Sequence, residues 1–424
     1  MQAIKYPTND ELKIILKRPT IDLSELSTII DEIFKKVKLE KDQALINFTK
    51  EFDMVNLDSI IVSKEEIENA INQVSEVDQE CIQVAYNNIF KFHHAQKRNS
   101  DKVETSPGVE CWSESRAIDS VGLYIPGGSA PLFSSVLMLG IPAKIAGCQQ
   151  VAIATPPQSD GTVHPLIIYC ANLCGIDRLY KIGGAQAIAA MAMGTQSVVR
   201  VDKIFGPGNQ YVTAAKIKAQ HLGLAIDFPA GPSELLVYTN ATSNPAFVAS
   251  DLLSQAEHGP DSQVILLGTD DDKLKQIQDE IHIQILALPR IDIAKQALLN
   301  SKSILMKNVN EAMACINQYG PEHLILAVTD TKSLLPLIKN AGSVFLGHYT
   351  PESAGDYASG TNHTLPTNGF AKVYSGVNLD AFIKRITFQE VTQTGLKNLS
   401  KVIMRMAQQE QLEAHKNAVK IRMI

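Results

Sequence analysis

Apolar and polar positions follow two rhythms along this chain, and the change comes near Val121. From residue 9 to about 105, apolar residues recur at helical spacing, which predicts a run of helices. Asp10, Ser24 and Ser63 stand before such stretches as candidate N-caps, and Ser63-Lys-Glu-Glu66 has the order of a capping box. Residues 76–98 read as one long amphipathic helix, with His93 and His94 expected at a solvated end.

Beyond residue 121 short β-like runs alternate with Ala-rich helical stretches. Strands are expected at 121–125, 151–155, 179–182, 203–205, 235–238, 264–267, 303–306, 324–328 and 343–346. The helices between them include 133–146, 186–193, 211–222 and 247–258. This alternation implies βαβ units and mainly parallel pairing. Nine strands in about 225 residues are many for one sheet, so two α/β domains are expected. The recurrence of strand, glycine and helix gives a faint hint of internal duplication. The last fifty or so residues return to polar, helical character.

Composition narrows the function classes. A chain of 424 residues, 45% hydrophobic and 20% charged, has room for two or three buried cores and is not expected to be dominated by disorder. Its formal net charge of −6 offers no footprint for nucleic acid or an anionic membrane. Small-molecule chemistry remains. The six cysteines contain no C-x-x-C pair, and Cys170 and Cys174 read as buried small hydrophobes, so a reducing compartment is expected. The N-terminal stretch lacks the apolar core of a secretory signal, and no segment approaches the ~20 apolar residues that span a bilayer. A cytoplasmic location follows as the expectation.

Three early strands run into glycine turns: Tyr124-Ile-Pro-Gly-Gly128, Ile182-Gly-Gly-Ala-Gln186 and Phe205-Gly-Pro-Gly-Asn209. Glycine there admits positive φ and close approach of a ligand to backbone N–H groups, which suits a phosphate-bearing ligand. None has the G-x-G-x-x-G spacing, and no acidic residue stands ~20 positions later as a dinucleotide fold usually requires.

Polar residues gather in four later segments. Gln255 and His258 are three apart at the end of a helix stopped by Gly259-Pro260, and Asp251 lies one turn earlier on that face. A nitrogen and an oxygen donor so placed suit a metal such as zinc, and equally a histidine closing its own helix. Glu322 and His323 are adjacent before an apolar strand, so they are expected on opposite faces, serving proton transfers from different sides of a pocket. The loop from Thr350 to His363 offers Asp356 and His363. In the tail, Glu410 and His415 are five apart, a spacing that a regular helix would not aim at one point. Neither H-E-x-x-H nor G-x-S-x-G occurs, which argues against zincin proteases and serine hydrolases.

At these residues the chain resembles the histidinol dehydrogenase family. The resemblance runs over nearly the whole length and is most specific in VGLYIPGGSAPLFSSVLML (121–139), KIGGAQAIAA (181–190), VDKIFGPGN (201–209), DFPAGPSE (227–234), DLLSQAEHGPDSQVILL (251–267), YGPEHLI (319–325), SAGDYASGTNHTLPT (353–367) and AHKNAV (414–419). It implies a zinc-dependent, NAD-linked oxidation of L-histidinol to L-histidine through L-histidinal, the last step of histidine biosynthesis, with two NAD consumed per turnover. It implies one zinc per subunit on Gln255, His258, Asp356 and His415, holding substrate more than driving chemistry. His323 resembles the general base, and Glu322 the group that activates water for hydration of the aldehyde. Ser233 and Glu410 match substrate-contacting positions, together with His323 and the zinc ligands, and His363 falls in a matching block at the pocket. Tyr124, Gln186 and Asn209 match NAD-contacting positions on the three glycine turns.

The implied fold is α/β, with two incomplete Rossmann-like domains of mainly parallel sheets and helical N-terminal and C-terminal arms. Residues 1–25 would form the N-terminal arm, 26–120 with 240–375 the first domain, 121–239 the second domain, and 376–424 the C-terminal arm. The family is a homodimer in which that arm completes the neighbour's site, so His415 would act in trans. Three rival readings stay open beside this one. A cysteine, Cys111 or Cys148, could carry a covalent intermediate, although Cys148 reads as packing. A zinc hydrolase could use Glu322 on a metal-bound water, leaving the glycine turns without a role. A non-enzymatic α/β binding protein is the third.

Overall fold

The computed structural model describes residues 1–19, 23–98, 101–127, 131–229 and 231–423. Among these residues fourteen strands form three sheets. The sheet that carries the early glycine turns contains β4 (Ser120–Tyr124), β5 (Gln150–Thr155), β6 (Arg178–Lys181), β7 (Lys203–Phe205) and β8 (Ala225–Ile226). All its pairs are parallel, in the order β6-β5-β4-β7-β8. The second parallel sheet has six strands: β1 (Gln2–Lys5), β9 (Glu234–Thr239), β10 (Gln263–Gly268), β11 (Lys302–Leu305), β12 (His323–Leu326) and β13 (Ser343–Leu346). Its order is β1-β11-β10-β9-β12-β13.

Both sheets are covered on two faces, which explains their nearly continuous apolar runs. On β9 and β10, Leu235, Val237, Val264 and Leu266 pack with the helix Pro245–Ala256 on one face. Leu236, Tyr238, Ile265 and Leu267 pack with the helix Val309–Tyr319 on the other. This period of two is what a pleated strand imposes. Around the other sheet, Val121 and Leu123 face the largely apolar, mostly buried helix Phe133–Ala146, and Ile204 faces the helix Gly184–Met193. A lone apolar stripe would not suffice for Phe133–Ala146, because the helix Glu76–His94 covers its outer side.

Several expectations need correction. Residues 1–5, assigned to a helical arm, instead add β1 to the edge of the six-stranded sheet. The helical rhythm stops at His94. β2 (Val103–Ser106) and β3 (Val109–Ala117) follow, and β3 pairs antiparallel with β14 (Ile383–Val391) from the segment read as helical. Trp112 and Phe388 are cross-strand partners and stack with ring centroids 5.5 Å apart. A partner so distant in sequence leaves no local signal. β9 falls within 121–239 but pairs with β10 and β12, so it belongs to the six-stranded sheet.

Caps and ends also differ in detail. Thr8, not Asp10, caps the first helix Asn9–Ile15 through a reciprocal bond with Glu11, and Asp10 lies within its first turn. Ser24 falls inside the helix Leu23–Glu40 rather than before it. Ser63 caps Lys64–Gln73 with the expected capping box. His93 is not a solvated end: it is fully buried, with Nδ1 3.0 Å from the Ile89 carbonyl and Nε2 3.3 Å from the Asn362 amide. Gly128 of the first glycine turn lies outside the described residues.

Candidate active site

The geometry starts at Glu234, the first residue of β9. Its backbone N–H donates to Oε2 of Glu322 at 2.8 Å, and its carbonyl lies 3.2 Å from Nδ1 of His323. β12 lies beside β9 in parallel, so one main-chain unit holds both side chains of the neighbouring strand's start. With Nδ1–H donated to that carbonyl, Nε2 is the nitrogen left for chemistry; it is buried and has no hydrogen-bond partner. Glu322 and His323 do not point to opposite sides. Glu322 precedes the strand, its carboxylate is turned by the Glu234 N–H to 3.6 Å from His323 Nδ1, and both line one cavity of about 350 Å³.

Two further carboxylates close on His323. Glu352 Oε1 lies 3.5 Å from Nδ1, and Asp356 Oδ1 lies 3.7 Å from Nε2. Burial alone would lower the His323 imidazole, but Glu352, Glu322 and Asp356 outweigh it and push it up to about 10. Burial pushes Glu322 up to about 8, against the pull of His323 and the Glu234 N–H. Burial likewise holds Glu352 well above the carboxylate range, and neither of its oxygens receives a hydrogen bond.

Glu352 carried no assigned role in the sequence, yet a signal existed. On the short helix Glu352–Tyr357 it is four residues before Asp356, so the two carboxylates share one face. His323, Glu352 and Asp356 each offer a ligand atom within 4.8 Å of the others, which makes them a possible cation group.

The helix Pro245–Ala256 starts at an Asn244 cap and runs back to the same edge of the sheet. It delivers Gln255, fully buried, and beyond its end His258, which opens onto the cavity. Gln255 Nε2 and His258 Nδ1 are 2.9 Å apart, while Gln255 Oε1 is buried without a partner. Burial lowers the His258 pKa, so its neutral, ligating form is favoured. An orphaned amide oxygen, a neutral imidazole and the Asp356 carboxylate are a donor set that fits a zinc ion. His363 is oriented from both ends, with Nδ1 2.9 Å from the Asp356 carbonyl and Nε2 3.1 Å from Ser135 Oγ. Ser233 also lines the cavity. Glu410 and His415 are exposed on the C-terminal segment, and a single chain does not bring them to this cavity.

Behind Glu234 stands a buried clamp. Arg18 donates from Nε and an η nitrogen to the two Glu234 carboxylate oxygens at 2.5 and 2.8 Å, and its guanidinium lies 3.9 Å from the Tyr319 ring centroid. The Asn368 N–H completes the carboxylate's shell at 2.6 Å.

Tyr124, Gln186 and Asn209 meet in a second cavity of about 480 Å³, at the carboxyl ends of β4, β6 and β7. The Tyr124 hydroxyl accepts from the Gly184 N–H at 3.0 Å, and Asn209 caps the helix Gln210–His221. Gly206 adopts φ +125°, where a Cβ would collide with the Tyr124 carbonyl oxygen. That turn is pinned from below. Lys216, ion-paired with Asp227, donates to the Gly206 carbonyl at 2.9 Å, while Asp227 accepts the Gly206 N–H at 2.8 Å. Gly127 and Asn209 line both cavities and join them. Neither Cys111 nor Cys148 lines them, and burial pushes the Cys148 thiol up to about 11, away from a reactive thiolate.

Comparison with known proteins converges on one group. The family model described as histidinol dehydrogenase matches residues 16–423. A histidinol dehydrogenase of Bacteroides thetaiotaomicron is 51% identical over 423 residues, covering 100% of this chain and 99% of that protein. One from Photobacterium profundum is 50% identical over 418 residues, covering 98% and 94%. The crystal structure of histidinol dehydrogenase from Elizabethkingia anophelis superposes with a TM-score of 0.98 at 55% identity, covering 100% of this chain and 98% of the other.

Proposed function

The chain belongs to the histidinol dehydrogenase family, and on that premise we propose that it oxidises L-histidinol to L-histidine in two NAD-dependent steps through L-histidinal. The observation that carries the reading is the Glu322–His323 pair, held by the main chain of one residue, Glu234, and facing a cavity that opens into the glycine-turn cavity. Tyr124, Gln186 and Asn209 would hold NAD, which would supply the hydride acceptor for each step. His323 Nε2 takes the proton of the substrate hydroxyl as that hydride leaves the carbinol carbon. Glu322, whose carboxyl is pushed up to about 8 by burial and held by the Glu234 N–H, takes a proton from the water that adds to the aldehyde carbon. His323 then removes the proton from the resulting diol in the second oxidation. Water supplies the second carboxylate oxygen, so the four electrons and the oxygen balance.

Gln255, His258 and Asp356 would hold zinc, with His415 brought by the C-terminal arm of a second copy in a homodimer. Zinc would supply a Lewis acid that holds the substrate's nitrogens, and Asp356, once committed to it, would hold the His323 proton less strongly. Ser233, and Glu410 from the exchanged arm, complete the substrate contacts, and His363 lines their pocket.

The alternative donor group of His323, Glu352 and Asp356 would make His323 a ligand and remove it as a base. NADH absorbance on mixing protein, histidinol and NAD, with and without chelator, tests the proposal. NADH formed with zinc and abolished by chelation is the expected result; none from zinc-loaded protein rejects it.

A further inference from the structure

The glycine-turn cavity holds a carboxylate with no role so far. Asp53 ends a π-helical turn, Thr49–Asp53, and lines that cavity. Its Oδ2 is buried and receives no hydrogen bond, and burial raises its pKa above the usual carboxylate value. A buried acceptor without a donor is costly, so it signals a donor that arrives with a ligand. The wall beside it is apolar and accessible: Phe52 is 51% exposed and Ile29 44%, a surface suited to a flat heteroaromatic ring.

The position of this carboxylate identifies which part of a dinucleotide it meets. The two cavities join at Gly127 and Asn209. The nicotinamide must reach the side of His323, so the adenosine half falls in the cavity of Asp53. There the pattern of an ordinary dinucleotide site is met by an unusual route. No acidic residue stands ~20 positions after the first glycine turn, and Asp227, which stands so after the third, is buried and taken up by Lys216 and the Gly206 N–H. Asp53 supplies the carboxylate from the helical segment that precedes β4 in the chain.

We propose that Asp53 accepts the hydroxyls of the adenosine ribose and thereby selects NAD over NADP. The inference rests on the reading that this chain uses NAD. A carboxylate accepts a vicinal diol well and repels a 2′-phosphate, so one group gives both affinity and discrimination.

Steady-state kinetics of the zinc-loaded protein with NAD and with NADP, for wild type, Asp53→Ala and Asp53→Asn, test it. In Asp53→Ala the KM for NAD should rise about tenfold to a hundredfold, with kcat at saturating NAD and the KM for histidinol within about twofold. Asp53→Asn, which keeps the shape, should lose less NAD affinity and narrow the NAD-to-NADP preference at least about tenfold. Unchanged NAD KM and unchanged preference in both variants, with active wild type, would overturn this inference and leave the proposed function standing. Wild type that forms no NADH would reject the proposed function and this inference with it.

Discussion

The two parallel sheets are wound alike and used at opposite ends. In each, a first strand sits centrally, the next two in sequence extend one way, and the following two extend the other: β4, then β5 and β6, then β7 and β8; β9, then β10 and β11, then β12 and β13. In the five-stranded sheet, Tyr124 and Asn209 lie at carboxyl ends on either side of the switch, where open α/β sheets place ligands. In the six-stranded sheet, Glu322 and His323 lie at the amino end of β12, beside the amino end of β9. The carboxyl edge of one sheet thus faces the amino edge of the other across a shared cavity. Topology supplies a cleft at the carboxyl edge of one sheet; Glu322 and His323 were placed by local main-chain contacts, on the edge the rule would overlook.

The contrast breaks most sharply at the chemical edge. His323→Asn should lower turnover of histidinol by about 10²–10⁴-fold while leaving zinc content, measured by metal analysis, unchanged. Zinc lost together with activity would instead place His323 in the ligand set with Glu352 and Asp356. Glu322→Gln should cut oxidation of supplied histidinal about a hundredfold and the first oxidation less. Equal losses in both half-reactions would contradict the division of roles.

A matched pair of buried clamps then separates the two edges. Lys216→Met strands the buried Asp227 beneath the Gly206 turn, and should cost about 3–5 kcal/mol in denaturant unfolding. Its kinetic mark should be a raised KM for NAD with kcat little changed. Arg18→Met, from a site still 13% exposed, should cost somewhat less, ~3 kcal/mol or below, and should mark kcat rather than the KM for NAD. Swapped signatures would dissolve the distinction between the edges.

The Arg18 variant also carries a pH signature. Burial raises the Glu234 pKa, and Arg18 restrains that rise. Without Arg18 the folded state binds a proton that the unfolded state has released, so stability falls as pH rises through the folded pKa. Unfolding at roughly pH 5 should therefore show a smaller deficit than unfolding above neutrality. The smallest effect belongs to Cys148→Ala, expected within about threefold of wild-type turnover; a loss of several orders of magnitude would restore the thiol route.

Much of the six-stranded sheet and the pairing of Gln255 with His258 was legible because apolar strands and short polar motifs are local. β9 to β13 announced themselves as apolar runs, and Gln255 with His258 as an i, i+3 pair. What stayed hidden depended on distant partners. β3 and β14 stabilise each other across most of the chain, and neither looks like a strand alone. The role of Glu234 was invisible because its contribution to Glu322 and His323 is made by main chain. Asp53 was hidden for a further reason: its significance lies in the donor it lacks, and no sequence pattern records an empty bond. His93 misled because a histidine facing the Asn362 amide and one facing water look the same in a sequence.

The main chain of Glu234 bears on how the protein tolerates change. Substitution alters side chains and leaves the amide and carbonyl of residue 234 in place, so replacing Glu234 would disturb the Arg18 contact yet keep both links to the neighbouring strand. Only movement of the strand itself could sever them, and a slip of one residue would turn Leu235 and Leu236 to the wrong faces of a sheet buried on both sides. The alignment of Glu322 and His323 is therefore sheltered from drift at position 234, and its weak points lie in whatever fixes the register of β9 against β12.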